Sequence, residues 1–513
     1  ITVEAMNGLS GNSIASAEET VDSKDAVMLA IPKLVAPIRK ALGDTTPESV
    51  QLAATQGSFQ VGSLEAAHQY GIGMEEQFSG KMQDAFNSFS KAAQLDSNFG
   101  RAYSGMASTA RNLGRPDEAE KYFKMAMEHV DRMTERERFR TRGVYYLTIG
   151  NYPKCVEEYN ALLAQFSADN IGHSNLAFCY ERLRNMPKAM EEARKAVEIS
   201  PKGAVQRLNL SLFATYAGNF KDGEAEARKV LEINPTYEVA YTTLADAQIG
   251  QGQVQPAIET YKKLANLSKS GASSAALGLA EIAVYEGRFA EAERILQGAI
   301  SSDLAGGEKE AAADKLVSLS HLYLGWDKSK AAVDAAEKAL ANSKRVTIRF
   351  LAGRVLAEAG ESAKAHEIAA ALSGELLVER QTYGKILEGQ IALQSKDRQK
   401  AIQLFADANK ALDTWIGHYD LGRAYLDAGL FTEANSEFDI CIKRRGESVE
   451  LMDDGPTYGF FPPVYFYQGR VLEGLKSAGF SESYRTFLTI RGQLNEDPLV
   501  TEARHRLPFS QQQ

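Results

Sequence analysis

Apolar and small side chains recur at helical spacing along most of this chain. The clearest stretch runs from Asn170 to Pro201, where the stripe is formed by His173, Leu176, Ala177, Tyr180, Ala189, Ala193 and Ala196. Steps of three and four residues place these side chains on one face of each of two helices. Pro201 then ends the second helix, because proline lacks the backbone N–H that a helix needs. The pattern predicts a helix, a tight turn and a second helix.

The same unit recurs with a period close to 34 residues. The predicted first helices begin near Ala66, Gly100, Arg136, Asn170, Ala204, Glu238, Ser273, Ala313, Val346, Thr382, Trp415 and Pro462. The longest interval contains two glycines, which predicts a long flexible loop around Leu304 to Glu310. One helix pair cannot bury its apolar face alone, so the register predicts an all-α solenoid of about twelve stacked helix pairs.

The two ends of the chain depart from this register. Residues 1–43 alternate as two short strands around a turn at Gly8 to Gly11, followed by a helix that Pro32 and Pro37 make start late or kink. We interpret this segment as part of an α/β domain that begins before Ile1. Residues 44–63 read as a linker, residues 64–446 as the solenoid, and residues 447–513 as an atypical terminal repeat and cap.

The amino-acid composition limits the kinds of partner that this chain is expected to bind. The net charge of -9 and the interspersed signs of charge lack the basic excess of nucleic-acid-binding proteins. No run approaches the roughly 18 to 20 apolar residues that cross a bilayer, and the first residues do not resemble a signal peptide. We therefore expect no nucleic acid partner and no membrane span in this chain.

Reactive side chains show no catalytic spacing. The histidines, His173, His321, His366, His418 and His505 among them, have neither HExxH spacing nor neighbouring cysteine pairs, and we interpret them as structural or surface residues. The acidic turn at Asp453 and Asp454 reads as a solvated loop. No catalytic residue, cofactor or metal ligand is predicted, so we expect the chain itself not to be an enzyme.

The three cysteines take positions that small or apolar residues fill in other repeats. Buried structural thiols are the favoured interpretation for Cys155, Cys179 and Cys441. A disulfide between Cys155 and Cys179 of adjacent repeats is the open alternative.

Two further stretches stand out by composition. The alternating charges of RMTERERFRTR, residues 132–142, predict a salt-bridged helix face. Residues 458–467 are the richest in aromatic side chains. Packing of a closing cap is the favoured interpretation of that aromatic stretch, and a docking surface for a partner is the alternative.

The spacing from Asn170 to Pro201 resembles the tetratricopeptide repeat, a 34-residue helix pair. In that family, the helix pairs stack into a right-handed α-solenoid, and partner proteins or peptides bind along a concave groove lined by first helices. The resemblance places these groove candidates in this sequence: Tyr70, Met74, Arg101, Ser104, Arg111, Arg140, Ser174, Phe178, Glu181, Asp246, Phe350, Arg354, Tyr419 and Arg423. The arginines among them would suit an acidic or carboxylate-bearing peptide, whereas a solvated helix face is the alternative for each residue.

Particular stretches are similar to one bacterial group. SLEAAHQYGIGMEEQFSGKMQDAFNSFSKAAQLDSNFGRAYSGMA, MTERERFRTRGVYYLTIGNYPKC and WIGHYDLGRAYLDAGLFTEANSEFDICIKRRGE resemble the tetratricopeptide regions of receptor-like serine/threonine kinases and related membrane-bound regulators. The resemblance implies a sensor or docking region outside a bacterial membrane, tethered through a preceding helix. A stand-alone scaffold or accessory subunit of an envelope assembly is the alternative function, and the cytoplasm is the alternative location.

Overall fold

The computed structural model describes residues 1–6, 12–23, 26–42, 63–78, 81–113, 115–452 and 455–507. The predicted turn at Gly8 to Gly11, the linker apart from Ser63, and the acidic pair Asp453 and Asp454 lie outside these residues. Within them, the predicted fold class is confirmed, because an array of helix pairs follows a small two-stranded sheet. Contacts divide the chain into two compact units, Ile1–Arg182 (unit 1) and Leu183–Gln513 (unit 2).

Unit 1 begins with the antiparallel strands β1 (Thr2–Met6) and β2 (Ser13–Glu18), on which helix α1 (Val27–Ala41) packs. The helix begins ahead of Pro32, so the predicted late start was wrong; each proline removes only one backbone hydrogen bond. The repeat helices follow: α2 (Leu64–Phe78), α3 (Met82–Leu95), α4 (Gly100–Asn112), α5 (Pro116–Glu128), α6 (Glu135–Thr148), α7 (Tyr152–Gln165) and α8 (Asn170–Arg182).

Unit 2 continues the alternation of first and second helices. Its helices are α9 (Met186–Ile199), α10 (Ala204–Tyr216), α11 (Phe220–Ile233), α12 (Glu238–Gly250), α13 (Val254–Ala265), α14 (Lys269–Tyr285), α15 (Phe289–Ala305), α16 (Lys309–Gly325), α17 (Ser329–Asn342), α18 (Val346–Glu358), α19 (Ser362–Ser373), α20 (Val378–Gln394), α21 (Arg398–Ala411), α22 (Trp415–Asp427), α23 (Phe431–Lys443), α24 (Pro463–Gly474), α25 (Phe480–Arg491) and α26 (Pro498–Arg506). Consecutive even-numbered helices from α10 to α24 contact one another and line the inner surface of unit 2.

Aromatic side chains of second helices pack against glycines of first helices. The ring of Phe89 in α3 lies where a Cβ at Gly73 or Gly105 would sit, 2.7 and 2.8 Å from its nearest atoms. Tyr261 in α13 crowds Gly278 in the same way. Phe89 and Tyr261 are fully buried, so the close helix approach that the small residues predicted is confirmed at these positions.

The turn inside a pair needs one residue in the left-handed region. Gly252 has a φ of 75° and Gly429 has the same φ, and glycine adopts it without a steric penalty. Lys396 has a φ of 65° and Lys476 one of 57° in turns that lack the glycine. These two lysines hold a conformation that side-chain-bearing residues disfavour.

The predicted long loop around Leu304 to Glu310 is absent. The helices α14, α15 and α16 each have 17 residues instead of the usual 13 or 14, and only three residues connect α15 to α16. Lys315 Nζ lies 2.8 Å from Asp303 Oδ2 and donates to Ser273 Oγ at 2.8 Å, which ties the three helices together. The insertion therefore lengthens helices, because this buried ion pair and its hydrogen bond hold the added turns.

Cysteine pairing corrects the favoured interpretation at two positions. Cys155 in α7 and Cys179 in α8 form a disulfide with their Cα atoms 6.0 Å apart. Adjacent helices bring both side chains into one buried cluster, which the sequence positions alone did not reveal. Cys441 is a buried free thiol, as predicted.

Candidate functional site

In unit 1, part of the predicted groove surface is also core. Tyr70 and Met74 on α2 pack against the buried cluster around Phe89, and the Tyr70 ring lies 5.4 Å from the Phe89 ring. Ser104 on α4 is 4% exposed. These three candidates therefore contribute to packing between first and second helices.

Arg101 and Arg140 are already committed to partners in their own unit. Arg101 donates to Tyr70 Oη at 2.9 Å and lies 3.5 Å from Glu137. Arg140 Nη2 lies 2.7 Å from Asp169, a fully buried carboxylate that also pairs with Arg136 at 2.7 Å. The predicted ion pairs of residues 132–142 are therefore present, but Arg136 and Arg140 pair with a buried acid ahead of α8 and not with acids of their own helix, because their side chains reach across helices.

Arg111 on α4 differs from those two arginines. Its half-buried guanidinium forms no hydrogen bond or ion pair with any residue that the structure describes. Burial lowers its pKa, and the second positive charge of Arg182 on α8 lowers it further. An uncompensated cation beside a second cation favours an anionic partner.

The remaining candidates of unit 1 lie on α8. Ser174 is 7% exposed and its hydroxyl has no hydrogen-bond partner among the described residues, while Phe178 is half-buried. Glu181 is 2% exposed and lies 3.3 Å from Arg182 Nε.

In unit 2, the inner surface already holds a segment of the chain. Residues 445–452 and 455–461, called here the inner segment, run from the end of α23 across to α10 and back to α14 and α24. Tyr216 on α10 donates to Glu450 at 2.5 Å. The predicted groove residue Asp246 on α12 accepts from Tyr458 at 2.5 Å and is 1% exposed. Burial raises the pKa of Asp246, and the nearby charge of Glu450 raises it further.

The end of the inner segment is fixed by α14 and α25. Gly459 donates its backbone N–H to Glu281 at 3.2 Å, and its carbonyl accepts from Arg491 at 2.6 Å. Phe460 packs edge-on against His321 with ring centres 5.0 Å apart. Tyr458, Phe461 and Phe466 are buried, so the packing interpretation of the aromatic stretch is confirmed for these three residues.

The structure brings three predicted residues together beyond the inner segment. Arg354 on α18 pairs with Asp420 on α22, its Nη2 3.0 Å from Oδ1. Arg423 on α22 forms two hydrogen bonds to Glu358, at 3.1 and 3.2 Å. Burial alone would raise the pKa of Glu358, but the guanidinium groups of Arg423 and Arg354 lower it to about 2. Arg354, Arg423, Glu358 and Asp420 thus form a network of two cations and two anions with balanced charges, called here the compensated network.

Aromatic rings flank this network. The Arg423 guanidinium lies 5.7 Å from the ring centre of Tyr419 and 5.8 Å from that of Tyr467 on α24. Phe350, the other candidate on α18, is fully buried against Tyr383 and is a core residue. Sequence reasoning missed Glu358, Asp420 and Tyr467. Glu358 is 65 residues from its partner Arg423, and Asp420 is 66 residues from its partner Arg354. No local spacing signals such a contact.

Family models described as tetratricopeptide repeat match residues 102–137 and 140–204. The chain carries tetratricopeptide repeats. No curated protein matches the chain in sequence at a significant level. Solved structures with similar repeats include a tetratricopeptide repeat protein from Parabacteroides merdae, at 15% identity over 57% of this chain and 99% of that one, with a TM-score of 0.33.

Two larger structures are also similar in part. The match to the Cut9-Hcn1 hetero-tetramer of the APC/C covers 85% of this chain and 96% of the matched chain, at 12% identity and with a TM-score of 0.34. The match to the human IFIT1 dimer with m7Gppp-AAAA covers 82% of this chain and 88% of the matched chain, at 16% identity and with a TM-score of 0.39. Among the described residues of the present chain, no helix combines the length and apolar character that a bilayer crossing requires.

Proposed function

We propose that this chain is a protein-binding scaffold that takes an acidic or carboxylate-bearing peptide along the first helices of unit 1. Arg111 carries the proposal, because it is only half-buried on a first helix and its guanidinium has no hydrogen-bond or ion-pair partner among the described residues. Arg101 and Arg140 frame the same surface but are engaged by Tyr70, Glu137 and Asp169. The inner surface of unit 2 between α10 and α16 is filled by the chain's own segment. This occupied surface favours unit 1 as the place of the peptide groove.

The role of each arginine decides which variant tests the proposal. Reversing the charge of Arg140 would leave the buried carboxylate of Asp169 with one cation fewer and would destabilise the unit. Reversing Arg111 removes no hydrogen bond or ion pair with another described residue. Lys91 on α3 is exposed on a second helix, so Lys91→Glu is a control with the same charge change outside the groove.

The experiment selects peptides from a displayed random library on the full chain. We expect the selected peptides to be enriched in Asp and Glu, and we expect Arg111→Glu to weaken their binding about tenfold to a hundredfold, the loss of a charge-assisted hydrogen bond. Lys91→Glu should bind as the wild type does, and both variants should keep the wild-type melting temperature. Selected peptides without acidic residues, or equal binding by Arg111→Glu, would reject this groove.

We further propose an extracytoplasmic location, as the docking region of a bacterial signalling receptor. The Cys155–Cys179 disulfide supports the location, because disulfides persist in oxidising compartments. The receptor role is supported by the resemblance of the stretches described above; a stand-alone envelope scaffold is the alternative. The intact mass of the native polypeptide, isolated with its free thiols blocked, distinguishes them. A mass that includes a kinase or regulator supports the receptor, and reduced Cys155 and Cys179 would contradict the location.

A further inference from the structure

A cavity lies in unit 2 beside the compensated network, and Glu358 and Arg423 of that network line it. It has a volume of about 340 Å³ and forms where the carboxyl-terminal parts of α18, α20 and α22 meet α24. Leu393 and Leu426 supply apolar walls, and Tyr467 separates it from the cavity beside the inner segment. This volume is in the range of small-molecule sites and well below what a folded domain needs.

Gln390 gives the cavity an unpaired polar group. Its side chain lines the cavity and is 1% exposed, yet its amide nitrogen has no hydrogen-bond partner among the described residues. A buried donor without an acceptor costs about 1 to 3 kcal/mol. Native structures rarely retain such a group unless something else satisfies it. A ligand that carries hydrogen-bond acceptors would satisfy this amide.

The charges of the lining leave one cation uncompensated. Arg423 pairs with Glu358, Arg470 lies 3.1 Å from Glu502, and Asp427 lies 2.7 Å from Arg398. Lys396, in the turn after α20, forms no ion pair within the described part of the chain. It also keeps a φ of 65°, at a turn position that glycine fills in several other repeats. Lys396 is an exposed residue of the cavity lining, so the chain places a cationic side chain there despite a backbone conformation that disfavours lysine.

We propose that this cavity binds a small organic carboxylate, with Gln390 and Lys396 donating to its oxygens and the leucine walls contacting its hydrocarbon part. The ammonium and the amide are donors, and a carboxylate offers two acceptor oxygens with the opposite charge. The site lies in unit 2 and is independent of the peptide groove proposed for unit 1.

The test is calorimetric titration of the full chain with acetate, succinate, glutarate, citrate, benzoate and glutamate, with succinamide as the neutral probe. We expect at least one carboxylate to bind more tightly than about 1 mM and succinamide not to bind. Lys396→Gly should weaken that binding about tenfold or more. Lys476→Gly is the matched control, because it removes a lysine of positive φ from a turn that does not line the cavity.

The melting temperature of each variant distinguishes a loss of carboxylate binding from a loss of folding. Glycine relieves the backbone at position 396, so Lys396→Gly should keep or raise the melting temperature while the carboxylate response disappears. Gln390→Leu removes the unpaired amide and should give the same combination. The proposal is overturned if no carboxylate binds the wild-type chain, if succinamide binds equally, or if both variants bind as well as Lys476→Gly does.

Discussion

His418 is held between two carboxylates in unit 2. Its Nε2 lies 2.7 Å from Asp413 and its Nδ1 lies 2.5 Å from Glu437. Burial opposes protonation of the ring, but the hydrogen bonds to Asp413 and Glu437 raise its pKa to about 9. The imidazolium is therefore the form that the folded unit favours at neutral pH.

This residue predicts an alkaline loss of stability. The folded pKa of about 9 exceeds the unfolded value of about 6.5, so the contribution is complete below pH 6.5 and is lost as the pH rises through 9. His418→Gln should remove that part of the dependence, measured as the free energy of unfolding in urea from pH 6 to 9.5. His366→Gln is the control, because His366 is 65% exposed. Parallel wild-type and His418→Gln curves would contradict the assignment.

The sequence predicted structural roles for the histidines but none of their partners. Glu437 is 19 residues from His418, and Asp169 is 29 residues from Arg140. Local periodicity places a residue on a helix face, whereas partner choice depends on which helices the array makes neighbours. Of the predicted groove set, Arg354, Tyr419 and Arg423 lie together around one cavity. Their role in binding remains a prediction, as does that of Arg111.

At the scale of elements, the added turns of α14, α15 and α16 depend on Lys315. The Lys315 side chain is 2% exposed, and its ammonium pairs with Asp303, whose side chain is 5% exposed. Removing one partner of a buried ion pair leaves the other charge uncompensated in a medium that solvates it poorly.

A double-mutant cycle measures this dependence. Lys315→Met should lower the free energy of unfolding by about 3 to 5 kcal/mol, because Asp303 loses its counter-charge. Lys315→Met combined with Asp303→Leu should restore most of the loss, because apolar side chains then replace both charges. Urea unfolding of the wild type, of Lys315→Met, of Asp303→Leu and of the double variant gives the coupling energy. Additive losses in the double variant would show that the ion pair does not hold these turns.

Helix positions were the most predictable feature of the fold. Trp415 and Val346 begin first helices where the register predicted them, and Lys269 begins one four residues before the predicted Ser273. The extra turns were missed, because two consecutive glycines at 306 and 307 favour a loop and the buried ion pair that opposes it joins residues 12 positions apart on two helices. Tertiary contacts overrode local preference there.

At the scale of the whole molecule, the inner segment joins parts of unit 2 that are far apart in sequence. Tyr458 contacts Asp246 across 212 residues and Tyr261 across 197 residues. Ordinary repeats contact only their neighbours and unfold locally. These long-range contacts make the folding of α12 to α14 depend on the carboxyl-terminal part of the chain.

Hydrogen exchange tests that dependence. Tyr458→Ala removes a fully buried aromatic side chain, a change that costs about 3 to 5 kcal/mol, and leaves Asp246 without its donor. Amides of α12 and α14 should exchange faster in the variant. Amides of α20 and α21 serve as the internal reference, because the main helix contacts of the inner segment are with α10, α14, α22 and α24. Unchanged exchange in α12 and α14, or an equal increase everywhere, would refute the coupling.

The inner segment also has a consequence for synthesis on the ribosome. Asp246 is translated 212 residues before Tyr458, its buried hydrogen-bond donor. At about 5 to 20 residues per second, roughly 10 to 40 seconds separate the two. During that interval the first helices of the nascent chain have been synthesised, but the segment that covers their inner surface has not. The gap exposes apolar surface that a chaperone can bind until translation ends.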